Sequence, residues 1–443
     1  MIKQVTRGKI VTICVASAFL LMVVTAGLGA AGVLQTTEQG DIKYISTEKF
    51  ADGTSTTIPP EDYQFAIESP TDANAFYNAV IRANNGGPLI NSGISETEGI
   101  MAFHYHPMTY YFYLPLSIFG YVPFKILLLI ISIISVIAGT TFLLLAEREH
   151  IEEGITRKEM FILAVASVGV GPVLSNLKTG QTSPVLYFLL SLFWWGYRHK
   201  KLKLSGSVLA TGVFFKPYVL APIALGMKKE KLGLIVSSIF TYLIGTLLAI
   251  ALFGGDELYT YFNVIATELV GETTKSPHYI TSASNLSLLN WTAGLAPYLR
   301  IILFLPLFYI GVRYLSDRDT KYSPQLFSAT LLSIFILLSD TSAIDMPLLL
   351  PAIIVIGLHM YSESERFWMI GIVFVLFHIH PLSLEILVGF GSRYVPLISS
   401  NQSIVQTFIP VLQPGLYSIF GLYYITLSSA DLARVVNPSI DTI

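Results

Sequence analysis

The stretch FKILLLIISIISVIAGTTFLLLA, residues 124–146, decides the fold class. Lys125 is its one charge, near the start, and at 1.5 Å per residue a helix of this length covers ~34 Å, enough to cross ~30 Å of hydrocarbon. The run ends at EREHIEEGITRKE (147–159), whose basic residues suit a cytoplasmic loop. Working outward, apolar runs recur at about 10–34, 160–174, 184–197, 232–253, 293–313, 323–339, 346–361, 367–384 and 408–428. The 443-residue chain is 53% hydrophobic and 13% charged, and the sum of its charges is −2. That composition predicts an all-α polytopic membrane protein and gives no electrostatic reason to expect a nucleic-acid partner. The one cysteine, Cys14, excludes an intrachain disulfide and a Cys-based zinc site.

Orientation follows from the lysines and arginines. Lys3, Arg7 and Lys9 precede the first run and hold the N-terminus on the cytoplasmic side; at about 25 residues the run is long for a cleaved signal, so a retained helix is expected. RHKKLK (198–203), KKEK (228–231), RYLSDRDTK (313–321) and SESER (362–366) then fall on that same side, as does the C-terminus. Residues 204–227 lie between two such clusters, so they must enter and return as a re-entrant or short helical hairpin with FFKPY (214–218) near its turn. The count is about twelve passes in a single domain, 1–443. Outside it places a long first loop, 35–107, carrying amphipathic helices, and a second large loop, 254–292. PMTYYFYLPLSIFGYVP (107–123) reads as an interfacial helix leading into the 124–146 span. Sequons at Asn285, Asn290 and Asn401 fall in loops placed outside.

Polar residues gather in these outer loops and suggest a cavity at that surface. Asp72, with Tyr77 beside it, is either a general base toward an acceptor hydroxyl or a helix N-cap in SPTDANAF. Arg300, set about seven residues into a span, either meets a lipid phosphate or snorkels to the interface. Lys216 at the hairpin turn and Lys178 in NLKTGQTSP are further cations for a phosphate, although Lys178 also reads as an ordinary loop lysine. His104 and His106 have the spacing to share one side of an extended segment; with no Cys or carboxylate motif nearby they read as acceptor or cavity contacts rather than metal ligands. Asp340 and Asp345 at a span end read as cavity residues or as solvated boundary carboxylates. Nucleotide-binding and zinc-protease motifs are absent from the sequence.

In order, DANAFYNAV (72–80), FHYHP (103–107), GQTSPVL (180–186), ATGVFFKPY (210–218), NLSLLNW (285–291) and LLSDTSAIDMPLLLP (337–351) resemble the pattern of glycosyltransferase family 87. Those are polyprenyl-phosphate-mannose-dependent α-mannosyltransferases of the GT-C superfamily. The resemblance implies a GT-C-type bundle that transfers a hexose, such as mannose, with inversion. The donor it implies is a polyprenyl (dolichyl) phosphate sugar, the acceptor a glycan or glycolipid, and the working face of the cell membrane the outer one. It implies Asp72 as catalytic base and places Gln181, Lys216, Asn285 and Ser287 around the donor sugar-phosphate. Asp345 stands about where the family carries a histidine. No cofactor and no obligatory metal are expected. The rival is a polytopic secondary transporter or lipid-linked-sugar flippase, which would show a second broken helix matching the hairpin in the other half of the chain.

Overall fold

The computed structural model describes residues 47–49, 55–57, 72–90, 103, 105–149, 155–270, 296–317, 321–337, 343–361, 367–378 and 414–435. The expected first span, 10–34, and the three sequons lie outside these residues. Apart from two three-residue strands, β1 (Thr47–Lys49) and β2 (Ser55–Thr57), the described elements are helices. Among the described residues, three helices are long and apolar enough to cross a membrane: within Tyr121–Arg148, Lys229–Phe253 and Tyr298–Ser316. Five other apolar helices are shorter, among them Leu202–Phe215 and Ser323–Leu337. The all-α class therefore stands; the expected count of about twelve passes concerns the whole chain, and the described residues hold three full-length candidate spans.

The first part of the expected outer loop folds as α1 (Asp72–Asn84). A short 3-10 turn, Pro107–Thr109, leads into α2 (Tyr110–Ser117), and Gly120, at φ 90°, breaks the chain before the long α3 (Tyr121–Arg148). The stretch expected as one span over 160–174 is two helices, α4 (Arg157–Val168) and α5 (Gly171–Thr179). Pro172 explains the break. It brings no N–H to continue α4, the chain is extended at Val170 (ψ 128°), and Pro172 fits the first turn of α5 instead.

Next come α6 (Ser183–Arg198) and α7 (Leu202–Phe215). Lys216 is extended, and the chain returns as a 3-10 helix, Pro217–Gly226, in which Pro217 and Pro222 withhold the donors that a regular α-helix needs. The expected in-and-out segment is thus a helix and a 3-10 helix joined at Lys216. From Lys228 the chain turns into α8 (Leu232–Phe253). Helices α7 and α8 cross closely: Ser238 donates to the Gly206 carbonyl at 2.9 Å, and a Cβ on Gly206 would lie 2.2 Å from the Leu234 carbonyl oxygen. Small residues at such crossings let helix backbones touch.

The remaining helices are α9 (Gly255–Val270), α10 (Ala296–Ser316), α11 (Ser323–Leu337), α12 (Leu350–Tyr361), α13 (Phe367–His378) and α14 (Pro414–Val435). A 3-10 segment, Ala343–Leu349, precedes α12. The two loops expected outside meet here: Glu257 on α9 accepts from the backbone N–H groups of Leu89 (3.0 Å) and Ile90 (3.2 Å), just beyond α1. One apolar core joins α1, α3, α6, α11 and α12, with Phe76, Phe124, Trp194, Phe327 and Ile356 fully buried.

Candidate functional site

Asp72 is the first residue of α1, where the unpaired N–H groups of the first turn favour a negative charge. Its carboxyl accepts a hydrogen bond from the Gln181 side chain and lies within electrostatic reach of Lys216 and Asp345. Burial pushes the Asp72 carboxyl above the usual value of 3.8. The Gln181 hydrogen bond and the Lys216 ammonium draw it back, and the Asp345 charge adds to the rise.

Gln181 reaches Asp72 because of the glycine before it. Gly180 ends α5 in the left-handed conformation, φ 73°, and both its N–H and that of Gln181 return to the Asn176 carbonyl, at 2.9 and 3.1 Å. A Cβ at Gly180 would sit 2.6 Å from the Ala73 Cβ. Any larger residue would therefore both strain the turn and push α1 away. Gln181 itself is buried, and its Oε1 accepts from the Tyr105 hydroxyl at 3.5 Å.

Lys216 enters at the break between α7 and the returning 3-10 helix. Its ammonium forms an ion pair with Asp345, whose Oδ1 also accepts from the Tyr218 hydroxyl at 2.6 Å. Asp345 is only 4% exposed, so it is not a solvated boundary carboxylate. Asp72, Gln181, Lys216 and Asp345, four residues spread over 274 positions of sequence, thus form one polar group held by α1, the α5–α6 turn, the α7 break and the 3-10 segment before α12.

The FHYHP stretch threads past this group. The backbone N–H of His106 donates to the Phe214 carbonyl at 3.2 Å, and its ring packs on Phe214 (4.8 Å) and Tyr261 (5.1 Å). Nδ1 accepts from the Met108 N–H at 3.2 Å, which places the proton of the neutral ring on Nε2. Burial pushes this histidine down to about 4, so it is neutral at pH 7. Its buried Nε2 has no hydrogen-bond partner among the described residues.

Other residues singled out in the sequence fall elsewhere. Tyr77 sits about 140° around α1 from Asp72 on a regular helix, and its ring packs on Tyr121 and Phe124 in the core. Arg300 does not snorkel. It is buried, and its Nη1 donates to the carbonyls of Ile336 and Leu337 (both 3.3 Å) at the end of α11, where helix carbonyls lack partners. Lys178 lies in the last turn of α5, and its side chain is outside the described residues, as are His104, Asn285, Ser287 and Asp340. Sequence reasoning missed Tyr105 and Tyr218, although both stand inside quoted motifs: between the two histidines, and two places after Lys216. Tyr113 and Thr182 were missed as well; their buried hydroxyls face each other beside Asp72, neither at hydrogen-bonding geometry. Among the described residues, no group of three or more His, Cys, Asp or Glu is placed to hold a metal ion.

The opposite end of the bundle is built differently. Helix α6 starts beside Gln181 and ends, 16 residues and ~24 Å later, at Arg198. There Glu147 of α3 is buried and accepts from Trp194 Nε1 (2.7 Å) and Arg198 Nη2 (3.3 Å). The clusters 198–203 and 228–231 gather at this end, as their joint action on Lys231 shows. The Asp72 group and the basic clusters therefore lie at opposite ends of α6.

The model of glycosyltransferase family 87 matches residues 103–340, more than half of the chain, with Gln181 and Lys216 inside the match and Asp72 and Asp345 beyond its ends. No curated protein and no solved structure matches the chain. On the strength of that family match, and with the apolar helices and the polar group in place, the chain belongs to glycosyltransferase family 87.

Proposed function

We propose that this membrane glycosyltransferase moves a hexose, mannose first among the candidates, from a polyprenyl phosphate sugar to a hydroxyl of a glycan or glycolipid, with Asp72 as the base. The observation that carries this reading is the Asp72 carboxyl. Burial raises its basicity, Gln181 holds it, and a lysine lies beside it, in a chain whose family transfers sugars.

In the reaction Asp72 takes the proton of the acceptor hydroxyl as the acceptor oxygen bonds to the anomeric carbon. The bond from that carbon to the phosphate oxygen breaks, and the polyprenyl phosphate leaves as an anion that needs no proton at neutral pH. Attack opposite the leaving group inverts the anomeric centre. Catalysis then needs one positioned base and one cation to stabilise the departing charge. Lys216 is assigned the phosphate, with Asp345 and Tyr218 fixing its side chain. Arg300 is assigned to the end of α11 instead. Gln181 orients Asp72, and the neutral His106 lines the acceptor side. The GT-C-type architecture, and an extracytoplasmic Asp72 end opposite the basic clusters, complete the proposal.

The test is incubation of the purified protein with a panel of polyprenyl-phosphate sugars and a glycolipid acceptor. Consumption of one donor, with an α-linked product, is expected. Turnover of a nucleotide sugar in place of every lipid-linked donor would overturn the donor assignment.

A further inference from the structure

A second group of charges lies at the Arg198 end of α6, away from the Asp72 group. RHKKLK (198–203) and KKEK (228–231) contain one acid, Glu230, and the neighbouring Glu147 is occupied by Arg198 and Trp194. The Lys231 ammonium sits over the Tyr197 ring, 4.9 Å from its centroid, which places it at the end of α6 three residues before Lys200 and within electrostatic reach of Lys200, Lys228 and Arg198, with Glu230 as the opposing charge. Lys228 is committed to the Asp317 carbonyl, and the Asp317 carboxylate is turned to the Lys321 N–H at 2.8 Å. Like charges this close repel unless an anion joins them.

The backbone at Lys200 adds an independent observation. Helix α6 ends in a Schellman motif: the Lys201 N–H returns to the Gly196 carbonyl at 2.7 Å and the Lys200 N–H to the Tyr197 carbonyl at 3.1 Å. That leaves Lys200 in the left-handed position at φ 58°, the one non-glycine residue with positive φ among the described residues. Glycine is the low-strain occupant of that position, so the chain holds a cation where the backbone favours none. Directly after Lys231, α8 begins with an exposed apolar stripe: Leu232, Val236, Ile239 and Leu243. Those positions fall on one face of a helix that is long enough to span a bilayer.

We infer that this junction binds one anionic phospholipid, with its phosphate between Lys200 and Lys231 and its acyl chains along the α8 stripe. The stripe decides for a lipid over a soluble anion, because it continues the cation pair into the hydrocarbon. Lys200 and Lys231 act as point charges on a headgroup, and the exposed α8 residues give the tails a surface.

The experiment uses the full chain in nanodiscs of phosphatidylcholine alone and of phosphatidylcholine with phosphatidylglycerol. It reads the thermal midpoint and the phosphatidylglycerol retained in mass spectra of the intact protein. Phosphatidylglycerol is expected to raise the wild-type midpoint. K200G is expected to be at least as stable as wild type in phosphatidylcholine, since it relieves the left-handed strain, yet to lose most of the phosphatidylglycerol shift. Retention should fall about fivefold for each cation removed, the equivalent of ~1 kcal/mol per lysine, and further in K200G/K231Q. K158Q, on the exposed start of α4, should keep the full shift. The inference is overturned by the absence of a shift in wild type, an undiminished shift in K200G/K231Q, an equal loss in K158Q, or the same shift from glycerol phosphate added to phosphatidylcholine nanodiscs.

Discussion

At opposite ends of one helical bundle the chain treats two carboxylates, Glu147 and Asp72, in opposite ways. Glu147 is only 1% exposed and each of its oxygens accepts a hydrogen bond, one from the Trp194 indole N–H and one from Arg198 Nη2, with Arg198 Nε in ion-pair contact at 3.2 Å. Asp72 is half-buried, and the polar groups around it are left open. The lysine beside it is shared with Asp345, and among the described residues the Tyr113 and Thr182 hydroxyls do not close on each other. Buried polar atoms without partners destabilise a fold, so a bundle able to saturate Glu147 and not the Asp72 group carries the second as capacity for a ligand. A saturated acid holds helices together; an unsaturated one is available for chemistry.

Four substitutions, and a fifth that is the counterpart of the last, press on this contrast. Asp72→Asn has the largest effect, since loss of a general base slows turnover about 10²–10⁴-fold. Its effect on the fold has the opposite sign. The folded-state value of Asp72 lies above the unfolded one, so the stability it contributes is fully present below the unfolded value and is lost as pH rises through the folded value. At neutral pH the ionised group therefore detracts from stability, and the asparagine variant should melt at the same temperature or higher. Wild-type turnover in that variant would end Asp72's role as base.

Glu147→Ala should do the reverse. It strands Arg198 and the Trp194 N–H, and with the Arg198 side chain 17% exposed the loss belongs near the lower end of the buried-pair range, about 3 kcal/mol. Unfolding measurements should show that loss while the folded fraction keeps its wild-type kcat. A folded but inactive Glu147→Ala protein would break the comparison. Gly180→Ala comes third. The added methyl meets Ala73 and strains a left-handed turn, so α1 shifts against Gln181, and a misplacement of about 1 Å at a reacting group lowers rate about 10²-fold. The loss should appear in kcat with donor KM little changed.

The sequence made the bundle legible wherever a helix ends on its own composition. The runs expected over 124–146 and 232–253 appear as Tyr121–Arg148 and Leu232–Phe253, because charges and glycines at their ends stop an otherwise uniform apolar stretch. The run over 160–174 failed because hydropathy does not register Pro172, whose missing N–H divides it. The site divides along the same line. Asp72, Gln181 and Lys216 stand out as polar residues in apolar surroundings, and the structure brings all three together. What each one touches is not a local property. The partner of Lys216 is 129 positions away, and that of Arg300 is a pair of carbonyls made available only by the end of another helix. Tyr77 misled for a related reason: adjacency to Asp72 in sequence is not adjacency on a helix, where five residues turn the side chain toward the core.

Asp345→Asn should have the smallest effect, and it is the sharpest test of which group titrates. If Asp72 must be ionised to act, kcat/KM rises with pH through its value in the free enzyme, which burial raises from the usual 3.8. Asp345 contributes to that rise through its own charge, and it also occupies Lys216, the cation that opposes the rise. Asparagine at 345 removes both influences while its amide oxygen can still accept from Tyr218. Each change favours the Asp72 anion, so the acid limb of the kcat/KM profile should move to lower pH, by less than about one unit. Lys216→Met should move it the other way. Two limbs displaced in opposite directions identify the titrating carboxyl as the one between them, whereas a limb that stays fixed in both variants assigns the proton transfer to some group other than Asp72.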